Sequence, residues 1–126
     1  MRGLLDTTIL VAREQGRPVG RLPEESAVSV VTIAELHVGV LLADDPRIGA
    51  QRLRTLSEVE RAFDPLPIDA AVARNFAVIV ADARRRGRRP KIMDAWIAAT
   101  ALTHGLPVYA QDADFDDLAG VQTVRV

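Results

Sequence analysis

Four acidic residues lie where the sequence changes from a strand-like to a helix-like pattern: Asp6, Glu35, Asp94 and Asp112. Asp6, for example, directly follows the apolar pair Leu4 and Leu5. In parallel α/β sheets the carboxyl ends of the strands share one edge, and ligands bind there. We therefore expect these four side chains, although remote in sequence, to meet at one site.

Carboxylates that meet in this way repel one another and raise each other's pKa unless a cation neutralises them. Oxygen ligands favour hard divalent ions, so Mg²⁺ is the expected cofactor and Mn²⁺ a possible substitute. Such an ion activates water and stabilises charge on a phosphoryl group under attack. The four acids together predict a metal-dependent nuclease.

Each acid also has a purely structural interpretation. Asp6 and Asp94 could cap the helices that follow them. Glu35 completes a capping-box pattern with Thr32, in which its side chain would return to the Thr32 amide. Asp112 opens an acidic stretch, residues 112–117, that could be a solvated turn. The presence of all four acids at strand-to-helix junctions favours the functional interpretation.

Six basic residues crowd the stretch from 84 to 91. Residues 84–86 suit the C-terminal end of a helix, where the helix dipole favours positive charge. Beyond that end, Arg88, Arg89 and Lys91 are predicted to bind substrate phosphates near the metal. Because only 4% of the residues are aromatic, base stacking is not expected to dominate binding.

Composition excludes several other classes of protein. The chain has no cysteine, so disulfides and thiolate metal sites are ruled out. No stretch approaches the roughly 20 apolar residues that span a bilayer, and Asp6 interrupts the apolar N-terminus, so we expect a cytoplasmic protein without membrane contact. No phosphate-binding loop, dinucleotide fingerprint or His-carboxylate-nucleophile set is visible.

Strand-like and helix-like segments alternate along residues 1–126, which predicts a single α/β domain with a mainly parallel sheet. The predicted strands are residues 3–5, 27–31, 63–68, 108–111 and 121–126. The predicted helices are residues 8–14, 32–43, 46–61, 69–86 and 93–104, with a short one at 113–118. Pro65 and Pro67 push the third strand toward a sheet edge.

Four motifs together resemble the PIN-domain family, and specifically the VapC toxins of bacterial toxin–antitoxin pairs. They are residues 4–8 (LLDTT), 30–36 (VVTIAEL), 94–101 (DAWIAATA) and 108–115 (VYAQDADF). The third motif is the most specific. One position departs from the family pattern, because Ala110 stands where a Thr or Ser usually precedes the fourth acid.

The resemblance implies a three-layer PIN-like fold with a five-stranded sheet between helices. It also implies metal-site acids at Asp6, Glu35, Asp94 and Asp112, with Asp6, Asp94 and Asp112 as ligands and Asp114 as an auxiliary acid. The implied activity is endonucleolytic cleavage of tRNA or ribosomal RNA, which blocks translation. The implied partners are a VapB-type antitoxin and a second copy of the chain in a homodimer.

Two other functions remain open at this stage. A receiver-type signalling domain has a similar size and an acidic Mg²⁺ pocket, but it needs a lysine near its last strands, and Lys91 precedes a helix instead. An inactive PIN-like module that only binds RNA or protein is the second alternative. The absence of a hydroxyl at Ala110 favours that module, whereas the presence of all four acids argues against it.

Overall fold

A computed structural model describes residues 1–126 and contains four strands and five helices. The strands are β1 (Arg2–Leu5), β2 (Glu25–Ala27), β3 (Val108–Ala110) and β4 (Thr123–Arg125). The helices are α1 (Thr7–Glu14), α2 (Val30–Leu41), α3 (Pro46–Ala62), α4 (Ala70–Arg85) and α5 (Ile92–His104). All strand pairs are parallel in the order β2-β1-β3-β4, which confirms the α/β class.

The sheet has four strands rather than the five expected, because residues 63–68 do not form one. Only Leu66 pairs, through a single bridge to Ser29. Its N–H donates to the Val28 carbonyl at 2.9 Å, and its carbonyl accepts from Val30 at 3.0 Å. The ladder does not extend further because the partner segment becomes helical at Val30, directly after Ser29. Pro65 and Pro67 have no N–H, so the segment also lacks donors for pairing on its other side.

Two further boundaries differ from the prediction. The segment predicted as a strand at 27–31 is already helical at Val30, because the Ser29 hydroxyl caps α2 by accepting from the Val31 N–H at 3.0 Å. The helix predicted at 113–118 is a series of turns. There the Asp112 carboxylate accepts from the Asp114 N–H at 3.1 Å, a local bond that competes with helix formation.

The sheet separates two apolar clusters. Successive residues of a strand face opposite sides, so Leu4 and Val108 pack toward α4 and α5, whereas Leu5 and Tyr109 pack toward α1, α2 and α3. All four of these residues are buried. This double burial explains why residues 4–5 and 108–110 are continuous apolar runs. The parallel pairing of β1 with β3 places their carboxyl ends side by side.

Candidate functional site

Asp6 and Asp112 lie together because they follow neighbouring parallel strands. The Asp6 N–H donates to the Tyr109 carbonyl at 2.9 Å, which extends the pairing of β1 with β3 by one residue. Asp112 follows two residues after the end of β3. The side chain of Asp6 is almost fully buried, at 3% exposure, whereas Asp112 is partly exposed.

The other predicted acids reach the same edge from helices. Asp94 lies in the first turn of α5, and Glu35 lies in the second turn of α2. All of them line one open cleft of about 300 Å³, which we call the carboxylate cleft. Its lining residues are Asp6, Thr7, Thr8, Val11, Arg17, Glu35, Lys91, Asp94, Asp112 and Asp114. The expected convergence of the four acids is therefore observed, and the auxiliary acid Asp114 joins them.

Asp6 is at once a helix cap and part of the cleft. Its Oδ2 accepts from the Thr8 hydroxyl at 2.6 Å and from the Thr8 N–H at 3.4 Å, which makes it the N-cap of α1. These bonds fix the orientation of the carboxyl group. Burial raises the pKa of Asp6, the Thr8 bonds oppose that effect, and the negative charge of Asp112 adds to it.

Glu35 does not form the capping box that its spacing suggested. The helix begins earlier, so Thr32 is a buried residue inside α2 rather than its cap. Instead the Thr7 hydroxyl donates to Glu35 Oε1 at 2.7 Å, and it lies 2.9 Å from the Thr32 hydroxyl. The Thr7 side chain on α1 thus orients the Glu35 side chain on α2. Sequence reasoning missed Thr7, although it adjoins Asp6 in the first motif.

Asp94 lies in the first turn of α5 but does not cap that helix. The N-cap of α5 is Lys91, and no side chain caps that helix, so the capping interpretation of Asp94 is wrong. Its Oδ2 is buried and has no hydrogen-bond partner in the protein. Buried polar atoms without partners are rare in folded proteins and costly when they occur.

The surroundings of Asp94 favour its protonated form in the metal-free protein. Burial contributes most, and the neighbouring charges of Asp6 and Asp114 contribute further, so that the pKa of Asp94 rises to about 7. Lys91 partly opposes this rise. A bound cation would have the reverse effect, because it would stabilise the ionised carboxylates.

The donor chemistry of the carboxylate cleft fits a hard divalent cation. The side chains of Asp6, Asp94 and Asp112 offer oxygen only, and one of those oxygens is buried without a partner. Oxygen donors of this kind suit Mg²⁺ or Mn²⁺. In the structure no three acidic or histidine side chains already stand at the spacing of a formed metal centre.

The basic residues predicted to bind phosphate divide into two groups. Lys91 lines the carboxylate cleft, where its Nζ donates to Asp114 Oδ2 at 3.0 Å and this bond raises the pKa of Lys91. Arg88 instead forms an ion pair with Asp117, and both line a separate pocket together with Arg89. A further cation that the sequence did not single out, Arg17, lies in the carboxylate cleft.

Ala110, where the family pattern has a hydroxyl, is fully buried in the apolar cluster beneath α4 and α5. It does not line the carboxylate cleft. The substitution therefore leaves the set of carboxylates in the cleft intact.

None of the five helices is both long and apolar enough to cross a membrane.

A parallel α/β sheet with acids gathered at the carboxyl ends of its strands is the architecture expected of a PIN domain. The PIN-domain family model matches residues 4–121. The chain therefore belongs to the PIN-domain family.

Comparison with individual proteins narrows this assignment. The chain is similar to ribonuclease VapC5 of Mycobacterium tuberculosis, with 44% identity over 98% of this chain and 93% of the relative. It is also similar to ribonuclease VapC4 of the same organism, with 39% identity over 99% and 97%. These matches confirm the resemblance to VapC-type ribonucleases that the sequence motifs indicated.

Solved structures agree with this assignment. The crystal structure of VapBC-5, a member of the VapBC family of toxin–antitoxin systems from Mycobacterium tuberculosis, superposes with a TM-score of 0.85 at 41% identity, covering 99% of this chain and 98% of the other. The FitAcB structure from Neisseria gonorrhoeae superposes with a TM-score of 0.80 at 30% identity, covering 99% and 97%.

Proposed function

We propose that this VapC-type ribonuclease is a Mg²⁺-dependent endoribonuclease, with Mn²⁺ as a substitute, and that the carboxylate cleft is its active site. Asp6, Asp94 and Asp112 would hold the ion, with Glu35 and Asp114 as further acids of the site. The observation that carries the proposal is the buried, unpartnered Oδ2 of Asp94, which lies in the same cleft as Asp6 and Asp114.

In this proposal the metal would supply the chemistry, and neighbouring side chains position the acids and attract the substrate. The bound metal would supply an activated water and would stabilise charge on the scissile phosphate. Thr8 holds the carboxyl group of Asp6, so that it is oriented before an ion arrives. Thr7 orients Glu35 in the same way. Lys91 brings a positive charge to the cleft beside Asp114, where it would attract a phosphate.

The similarity to VapC-type ribonucleases supports a proposal for the biological role. We propose that the chain is the toxin of a VapBC pair and that it cleaves tRNA or ribosomal RNA in the cytoplasm to inhibit translation. Its partner would be a VapB-type antitoxin whose C-terminal segment covers the carboxylate cleft. The similarity to VapBC-5 over almost the whole chain supports this role. We further propose that residues 1–126 act as one domain and associate as a homodimer.

An inactive binding module is the second candidate function. Two observations favour it: the missing hydroxyl at Ala110, and the absence of a preformed group of three metal-binding acids. Such a module would bind RNA or protein without cutting RNA. A receiver-type signalling domain is excluded by membership of the PIN-domain family.

A cleavage assay separates these functions. The purified protein, free of any antitoxin, is incubated with tRNA and ribosomal RNA in Mg²⁺ or in EDTA. We expect cleavage that requires the metal and is lost in Asp6→Ala and Asp94→Ala. Asp44→Ala is the matched control, because Asp44 is exposed in the turn between α2 and α3. Cleavage that persists in EDTA would overturn the metal-dependent mechanism, and RNA binding without cleavage by the folded protein would favour the binding module.

A further inference from the structure

We propose that Arg17 binds a phosphate of the RNA backbone at the carboxylate cleft, next to the phosphate that is cleaved. This inference rests on the proposed ribonuclease function and adds a substrate-binding residue to it. Arg17 lies outside all four family motifs, and its role comes from its position in the fold.

The backbone at Arg17 is fixed by the end of α1. Gln15 is the C-cap, and Gly16 follows with a φ of 69°, a left-handed conformation that glycine adopts without strain. The N–H of Gly16 donates to the Arg13 carbonyl at 3.2 Å, and the N–H of Arg17 donates to the Ala12 carbonyl at 2.8 Å. These two bonds form a Schellman motif, so the chain leaves the helix at Arg17 in a defined direction.

A second anchor holds this segment beside the strand ends. The Gln111 side chain donates from Nε2 to the Pro18 carbonyl at 3.0 Å and to the Val126 carbonyl at 3.3 Å. Gln111 directly precedes Asp112, one of the proposed metal ligands. Pro18, which follows Arg17, is therefore hydrogen-bonded to Gln111, which precedes Asp112. The two segments are far apart in sequence.

Arg17 is the cation of the cleft that can bind an anion without first leaving an acidic partner. The other one, Lys91, is already paired with Asp114. No acidic side chain forms a salt bridge with Arg17. Its only side-chain hydrogen bond runs from Nε to Gln15 Oε1 at 3.1 Å, which leaves both terminal nitrogens available.

An arginine without an acidic partner, placed among five acids, would attract RNA to a cleft that otherwise repels it. RNA carries a negative charge at each phosphate, and the carboxylates of a metal-free or partly neutralised cleft would repel it. The planar guanidinium fork matches two phosphate oxygens and is always charged. Because Gln15 engages Nε and directs the group, the terminal nitrogens of Arg17 would contact a neighbouring, non-reacting phosphate in both the ground state and the transition state.

The test compares three variants: Arg17→Gln, Arg17→Lys and Arg21→Gln. Arg21 is the matched control, because it is an exposed arginine of the same loop that lines a different cavity. Each variant is assayed with a single-stranded RNA substrate in Mg²⁺ for kcat and KM across a salt series, and its melting temperature is measured. Contact with a non-reacting phosphate predicts a KM about tenfold higher for Arg17→Gln with little change in kcat.

The salt series distinguishes a phosphate contact from a structural effect. Loss of one phosphate contact reduces the slope of log affinity against log salt by about 0.7 for a single strand. We expect that reduction in Arg17→Gln but in neither Arg17→Lys nor Arg21→Gln, with all melting temperatures unchanged. An unchanged KM and slope in Arg17→Gln would overturn the role of Arg17 while leaving the ribonuclease intact. A wild-type protein that neither binds nor cleaves RNA would overturn the proposed function itself.

Discussion

Replacing Asp94 by asparagine should stabilise the metal-free protein while abolishing its activity. In the absence of metal, ionisation of Asp94 is opposed by burial and by the charges of Asp6 and Asp114. Asparagine keeps the shape of the side chain and removes the charge. The variant thus resembles the protonated wild type at every pH, and it cannot serve as an anionic metal ligand.

The size of the effect follows from the pKa of Asp94, which is about 7 in the folded protein against a reference value of 3.8. At 1.36 kcal/mol per pKa unit, ionising this group at pH 8 costs at most about 4 kcal/mol of folding free energy. Asp94 is only partly buried, so solvent screening reduces the expected gain to about 1–2 kcal/mol. That gain corresponds to a rise of about 3–10 °C in melting temperature.

The pH dependence has a defined sign. Between about pH 4 and pH 7 the folded protein keeps a proton on Asp94 that the unfolded chain has lost, so this group makes stability fall as pH rises. The stability difference between Asp94→Asn and wild type should therefore be largest at pH 8 and should shrink toward zero near pH 4.

Thermal unfolding in EDTA at several pH values measures this difference. Asp44→Asn is the control, because that exposed carboxylate should show no comparable pH-dependent gain. If Asp94→Asn melts below the wild type at pH 8 in EDTA, the claim that repulsion and burial destabilise ionised Asp94 is refuted. Added Mg²⁺ should narrow or reverse the difference, because only the wild type gains stability from the ion.

Three further outcomes follow from the contacts of the structure. Thr7→Val should lower kcat about tenfold, because Glu35 loses its 2.7 Å bond, and should lower stability by about 1–3 kcal/mol, because the buried Thr32 hydroxyl loses its partner. An unchanged kcat would remove Thr7 from the site. Phe115→Ala should lower the free energy of unfolding, measured in urea, by about 3–5 kcal/mol, because Phe115 is fully buried. A decrease below about 1 kcal/mol would contradict that burial. Asp117→Ala should lower the free energy of unfolding by at most about 1 kcal/mol, because the ion pair of Asp117 with Arg88 is exposed. A larger decrease would refute the claim that this ion pair contributes little to stability.

Local signals explain the parts of the fold that the sequence predicts well. Asp69 caps α4 by accepting from the Val72 N–H at 3.0 Å, and Gly87 follows the end of that helix with a φ of 75°. Pro46 lies in the first turn of α3. Each of these features depends on residues within one helical turn, so the bounds of α3 and α4 agree with the prediction to within one residue.

Long-range pairing explains what the sequence does not predict. The length of β2 depends on its register with β1, in which Glu25 pairs with Arg2, and no local pattern encodes that register. The bond between Thr7 and Glu35 joins residues 28 positions apart. The position of Arg17 in the cleft likewise depends on contacts with the far end of the chain. The convergence of Asp6 and Asp112 was predictable, because each follows a strand of the parallel sheet. Asp94 follows no strand: it reaches the cleft from the first turn of α5, which comes directly after α4 in the chain.

The most direct test of a shared metal site is anomalous diffraction from crystals of the protein soaked in Mn²⁺. We predict an anomalous peak within coordinating distance of carboxylate oxygens of Asp6, Asp94 and Asp112, and no such peak in crystals of Asp94→Asn. A peak elsewhere on the surface, or none at a saturating Mn²⁺ concentration, would contradict the proposal that one divalent ion joins these three segments of the chain.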